Sequence, residues 1–362
     1  MTSAETQKDP AAFDYQASAV KIARRGARRL AKLVQPEGRF VYRYDREKKR
    51  IYNQYNVLRH CGSAWSMFDV VRMTGPDPVV TAAAVNAARY MRENFIRPFK
   101  DGDALCVVDG DKIKLGGSGL ALLALAEWHR FAPDPEIVET ARAIGRYILS
   151  QRTEDGDLHH GRNYPDGELY DFRSNYYTGE AIFGLLRLSE LTGEEAWRDA
   201  AFELLAALGP RDYGVEVRSH WMLYALDAAD EVRPSAENRA YAARIAARIL
   251  RDPISYRGRE LSTPIACMSE ALLAYIRLKR RAAAASLYPS VSDCGRAVLE
   301  NLSLQTKSFR KNGEFMAGPQ RRDVRIDYIQ HNISSFAAFG TMGKGLIANP
   351  SPRTAPQIIS IG

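Results

Sequence analysis

The chain has 362 residues, 46% hydrophobic and 26% charged, with 51 Lys and Arg against 43 Asp and Glu for a net charge of +8. That is the mixture of a globular protein able to bury a large core, and the absence of any run of about 18 apolar residues excludes a membrane-spanning helix. The basic residues are scattered over many helices, with no basic arm and no aromatic RNA-binding motif, so a nucleic-acid partner is not expected, while the positive balance suits an anionic substrate. The first helix is expected after a loose tail over residues 1–14, with Val20, Ala23, Leu30, Leu33 and Val34 at helical spacing up to Pro36. RFVYRYDREKKRIYNQYN then reads as a short hairpin or a long loop. An apolar helix follows over Cys61–Met73, TGPDP breaks it, and Val79–Phe95 is amphipathic.

The same order recurs along the chain. Apolar helices are expected at Ser118–Phe131, Gly179–Leu191, His220–Ala229, Pro264–Leu278 and Ile326–Phe339. Amphipathic partners are expected at Glu136–Gln151, Ala196–Leu208, Ser235–Leu250 and Val291–Gln305. The repeat is about 50 to 60 residues, right for a helix pair plus a loop. Small residues (Gly62, Ala64, Gly117, Gly119, Gly179, Ala181) cluster near the starts of the apolar helices and allow close backbone approach. Turns within a pair are short and loops between pairs are long. Six inner helices ringed by six outer ones fit this pattern better than an open superhelix, and the long loops then gather at one end, where sites are commonly built. One domain is expected over 15–341, followed by a loose tail over 342–362.

This layout resembles the (α/α)6-toroid carbohydrate-active enzymes: glycoside hydrolases, N-acylglucosamine epimerase-like isomerases, polysaccharide lyases and cyclase relatives. The resemblance lies in the repeat architecture and covers most of residues 15–341. It implies an all-α fold with a site in the funnel where the long loops meet the N-terminal ends of the inner helices. Function must still be argued from the site.

Polar residues at those helix starts are the candidates. Glu180, in the first turn of an apolar helix, and Glu270, within ACMSEALLAYI, are the leading carboxylates, with Asp171 in the loop before Glu180. Glu180 could equally complement the helix dipole and Asp171 a turn. A buried Glu270 needs a partner, because an unpaired buried charge is costly. Tyr55, Arg59, His60, Arg173, Tyr176, Tyr177, His220, Trp221, Asp327 and His331 are expected to bind substrate or share proton transfer. Three of the six histidines, His60, His220 and His331, stand at inner-helix starts, and a base titrating near neutrality is the usual use of that side chain.

Two facing carboxylates would serve glycoside hydrolysis of a polar or anionic oligosaccharide, one protonating the leaving oxygen and one activating water or attacking the sugar. Tyrosine and histidine would instead serve a uronate lyase or a sugar epimerase, where His220 and His331 could act on opposite ring faces. A non-catalytic glycan-binding ring is the third reading. No metal and no other cofactor is expected: there is no HExxH, the histidines come from separate helices, and no nucleotide-binding glycine motif occurs. The four cysteines are widely spaced and form no CxxC pair, which suits buried thiols in a reducing compartment, each a small core residue. The N-terminus lacks a basic region followed by an apolar core, so a cytoplasmic location is expected.

Overall fold

The structure, a computed structural model, describes residues 15–100, 102–282 and 288–342. The tails expected over 1–14 and after 342 lie outside the described residues. Among those residues the chain forms α1 (Tyr15–Leu33), α2 (Val57–Thr74), α3 (Pro78–Phe95), α4 (Leu115–Phe131), α5 (Pro135–Leu149), α6 (Tyr177–Thr192) and α7 (Glu195–Leu208). It continues with α8 (His220–Val232), α9 (Ala236–Arg251), the one-turn α10 (Ile254–Arg257), α11 (Ser262–Arg281), α12 (Val291–Thr306) and α13 (Ile326–Gly340).

The sequence dictates which helices go inside. On α1 the buried positions Ile22, Ala23, Gly26, Ala27 and Leu30 recur every three or four residues, leaving a charged outer face. On α4 every residue from Leu115 to Leu125 is buried, so no outward face exists. The inner helices α2, α4, α6, α8, α11 and α13 pack each against the next, and α13 packs on α2. The ring is therefore closed, as the loop lengths predict. Four outer helices start on strong caps: Asp77 with Pro78 for α3, Asp134 with Pro135 for α5, Ser235 for α9, and a reciprocal Ser290–Asp293 box for α12; α7 does not. The inner helices α4, α6, α11 and α13 start with no side-chain cap bond. Their first N–H groups and positive dipole ends point into the space the long loops enclose.

Those loops carry all the strands. β1 (Arg43–Asp45) pairs with β2 (Arg50–Ile51) and, antiparallel, with β7 (Asp323–Arg325), with Tyr44 opposite Val324. The expected first hairpin is thus present, and it also ties the start of the ring to its end. A second sheet has the order β3 (Ile96–Pro98), β4 (Leu105–Asp109), β5 (Lys112–Lys114), β6 (Gly161–Asn163), joining the second and third loops. Both sheets brace the rim at the N-terminal end of the inner ring. No helix among the described residues is long and apolar enough to cross a membrane.

Candidate active site

At the N-terminal end of the inner ring, α2 supplies Arg59, α6 supplies Tyr177 and Glu180 with Tyr176 just before it, α8 supplies His220, α11 supplies Cys267 and Glu270, and α13 supplies Asp327 and His331. Glycines set the depth. A methyl group on Gly119 of α4 would sit 2.5 Å from the backbone carbonyl of Glu180, so only glycine lets α6 press this closely on α4. A methyl on Gly116, one turn earlier, would lie 2.0 Å from Glu180 Oε2 and 2.4 Å from the Tyr177 ring. Gly116 is thus the space that Glu180 and Tyr177 fill.

Glu180 is buried, and its Oε2 has no hydrogen-bond partner. Burial pushes its pKa up to about 8, only partly opposed by the charge of His331, so the carboxyl holds its proton at neutral pH. His220 is 3% exposed, and neither ring nitrogen has a partner. Burial, reinforced by repulsion from His331, holds its pKa well below the ordinary histidine value. His331 meets it edge to face, with ring centroids 5.4 Å apart. Nδ1 of His331 is 2.9 Å from Glu270 Oε2. Burial opposes a charge on His331, but the neighbouring Cys267 and Glu270 outweigh it and hold its pKa well above the usual range. Two imidazoles in contact are thus driven apart, one a free neutral base and the other a carboxylate-oriented acid.

The rim is tied by ion pairs. Asp327 takes Arg59 at 3.1 Å and Arg325 at 2.9 Å, and Arg59 also donates to the Tyr42 hydroxyl. Two guanidinium groups against one carboxylate leave one net positive charge beside the opening. Tyr176 is 42% exposed and covers His220 with its ring, centroids 5.5 Å apart.

Several expected residues lie elsewhere. His60 is fully buried between α2 and α3, with Nδ1 on the Tyr55 hydroxyl at 2.7 Å, Nε2 on the Ala87 carbonyl at 2.8 Å, and the rings of Phe40, Tyr90 and Phe95 around it. Successive helical residues point about 100° apart, so with Arg59 facing the opening its neighbour faces outward. This corrects the substrate-binding expectation for both Tyr55 and His60, whose polar atoms are spent on packing. Trp221 likewise turns down from His220 and joins Trp65, Phe183 and Tyr224 in an aromatic plug, 5.7 Å from Trp65. Arg173 is paired with Asp157. Asp171 is exposed, and among the described residues no bond links it to Glu180 or Glu270. Cys267 was missed. The three-residue spacing from Glu270 puts both on one face of α11, but only the fold brings that face to His220 and His331.

Below the plug, the C-terminal ends of the inner helices surround a cavity of about 400 Å3. Its arginines are already matched: Arg72 with Asp69, Arg130 with Glu190, and Arg277 with Asp227. Glu127 Oε2 lacks a hydrogen bond there but faces Arg130 at 3.4 Å; Oε2 of Glu180 and both nitrogens of His220 are unspent at the other end, and that end is the candidate site.

No protein-family model matches the chain, and no curated protein matches its sequence. Solved structures do match. A cellobiose 2-epimerase from Bacillus thermoamylovorans B4167 superposes with a TM-score of 0.69 at 13% identity, over 90% of this chain and 100% of that one. A D-mannose isomerase gives 0.68 at 10% identity, over 92% and 99%. A family 76 glycoside hydrolase from a bovine Bacteroides thetaiotaomicron strain gives 0.67 at 12% identity, over 91% and 79%. At such identities the likeness speaks for architecture, and it agrees with the closed ring of helix pairs: the chain has the (α/α)6-toroid fold.

Proposed function

We propose that the chain is an enzyme that moves a proton beside the carbonyl carbon of an open-chain sugar, with His220 and His331 as its acid–base pair. The contact of the two rings carries this reading: one ring has both nitrogens free, and the other is oriented by Glu270. Leaving a buried polar group unpaired costs about 1–3 kcal/mol, and a substrate that satisfies His220 gives that cost a use. His220 takes the proton from the carbon next to the carbonyl. The electron pair moves to the carbonyl oxygen, which takes a proton from His331, giving an enediol. His220 then returns the proton to the neighbouring carbon while the other hydroxyl of the enediol gives its proton back to His331, which exchanges aldose and ketose and restores both side chains.

Because the rings touch, no sugar carbon fits between them, and both imidazoles meet the substrate from one side. Transfer along one face favours aldose–ketose isomerisation over inversion at a single carbon. The isomerase that shares the fold fits this reading. The uncompensated positive charge at the rim and the overall +8 suit a saccharide bearing an acidic group. Unpaired cysteines suit a reducing, cytoplasmic setting.

Incubation with neutral and acidic reducing sugars in deuterated water is the test. Deuterium should enter at the first or second carbon, and His220→Asn and His331→Asn should each lose at least about 100-fold in rate. His220→Phe should be inactive yet melt at or above the wild-type temperature, since two unpaired nitrogens are gone. Near-native turnover in His220→Asn would end the reading.

Glycosidic cleavage is the second reading, favoured by one observation. Glu180 is a carboxylic acid held protonated up to about pH 8, as a proton donor to a leaving oxygen must be. Glu270 would then be the second carboxylate. New reducing ends from an oligosaccharide, with no deuterium in the product, would favour it.

A further inference from the structure

His220, Cys267, Glu270 and His331 each offer a ligand-type atom, and these atoms all lie within 4.8 Å of one another. Three helices contribute: α8, α11 and α13. The set is unlike an ordinary polar cluster, because His220 is 3% exposed and has no partner on either nitrogen. Buried polar atoms are nearly always satisfied, and an imidazole with two idle nitrogens beside a thiol is a coordination site lacking only an ion.

The arrangement also sorts the four groups into roles. Glu270 already holds Nδ1 of His331 at 2.9 Å, which leaves Nε2 as the nitrogen available to an ion. A carboxylate behind a histidine in this way fixes the ring and raises its basicity as a ligand. The inner set is then two imidazole nitrogens and one sulfur, which leaves the fourth position of a tetrahedral ion to a water or small ligand. Hard cations such as magnesium and calcium demand about six or more oxygens, which this set cannot supply. Sulfur and imidazole select zinc and its tetrahedral relatives. Tetrahedral zinc places neighbouring ligand atoms about 3.3–3.8 Å apart, so the cluster must contract by about an ångström, within reach of side-chain rotation.

We propose that His220, Cys267 and His331 bind one thiophilic divalent cation of the zinc class, supported by Glu270, and that the filled site is the switched-off state of the enzyme. Binding sends the Cys267 thiol proton and the His331 Nε2 proton to solvent, while the cation takes the lone pair of His220. The base and the acid of the isomerisation are consumed together. The site stands on its own geometry; only its inhibitory consequence rests on the proton-transfer reading.

Cobalt(II), added to the whole chain after chelator treatment, is the probe. One equivalent should give a near-ultraviolet thiolate-to-cobalt band and the intense visible bands of a four-coordinate ion. Cys267→Ser should lose the thiolate band, and Glu270→Gln should weaken binding by about 10- to 100-fold. On the wild-type chain, zinc should protect Cys267 from alkylation, which reads the same contact without relying on a variant. Zinc should also suppress sugar turnover, and a chelator should restore it. Absence of the thiolate band, or an unchanged spectrum in Cys267→Ser, would overturn the site. Zinc that binds without slowing turnover would overturn the switch. A chain that shows the band but converts no sugar keeps the site and loses the isomerase reading instead, so the two fail separately.

Discussion

Glu180 concentrates the physics of the site in one side chain. The residue is buried against Gly116 with one oxygen unpartnered, and its pKa rises from 4.5 to about 8. The folded chain therefore binds a proton that the unfolded chain has released between those values. The contribution to stability is full below about pH 4.5 and is lost as the pH rises toward about 8, with a slope of at most about 1.4 kcal/mol per pH unit. Urea unfolding of wild type and Glu180→Gln at pH 5, 6.5 and 8 should show curves that diverge, with the variant gaining relative stability at the alkaline end. Parallel curves would mean that Glu180 is ionised in the fold. Glu180 was legible in the sequence as an acid at the head of an apolar helix. Its protonation was not, because desolvation depends on α4, more than fifty residues earlier.

At the scale of elements, the seam between α4 and α6 sets the depth of the site. Gly119 meets the backbone of Glu180, whereas Gly116 meets only the ends of the Glu180 and Tyr177 side chains. Backbone cannot rotate away, so Gly119→Ala should spread the two helices and lose about 1–3 kcal/mol. Gly116→Ala should lose less, because the Glu180 carboxyl can swing aside, and it should remove most activity only where Glu180 is the proton donor, as in glycosidic cleavage. Thermal melts and turnover of the two variants make the comparison; equal loss of stability in both would contradict this account of the seam. The small residues at these helix starts were visible in the sequence, and their use for close approach follows from size alone. Which of Arg59 and His60 faces the opening depended on how far α2 is rotated about its axis, set by tertiary contacts with α3 and α13.

Across the whole molecule the two ends of the ring do different work. The N-terminal end holds unspent donors and acceptors. The C-terminal end is closed by ion pairs, in which Asp227, 4% exposed, binds Arg277 at 2.7 Å and Arg281 at 2.6 Å. Removing Asp227 would strand Arg277 and take one of three carboxylates from Arg281, which keeps Asp230 at 3.4 Å and Glu231 at 3.5 Å. The ends of both arginines reach solvent, so Asp227→Ala should cost about 2–3 kcal/mol, less than a fully buried pair. Turnover per folded molecule should stay near wild type, because the aromatic plug of Trp65, Phe183, Trp221 and Tyr224 separates the ends. A melt within a degree of wild type would show that this layer does not hold the ring together.

Sequence alone determined the helices, their division into inner and outer sets and the closed ring. Each of these follows from local periodicity, caps and loop length, which act over a few residues. The tertiary structure alone decided that His220, Cys267, Glu270 and His331 converge, that His60 and Tyr55 are packing groups, and that Asp171 is exposed. Those outcomes turn on helix rotation and on contacts between segments far apart in the chain, 111 positions for His220 and His331 and more for α2 and α13. No single-helix pattern encodes such a meeting, because a helix fixes the direction of its side chains only relative to its own axis.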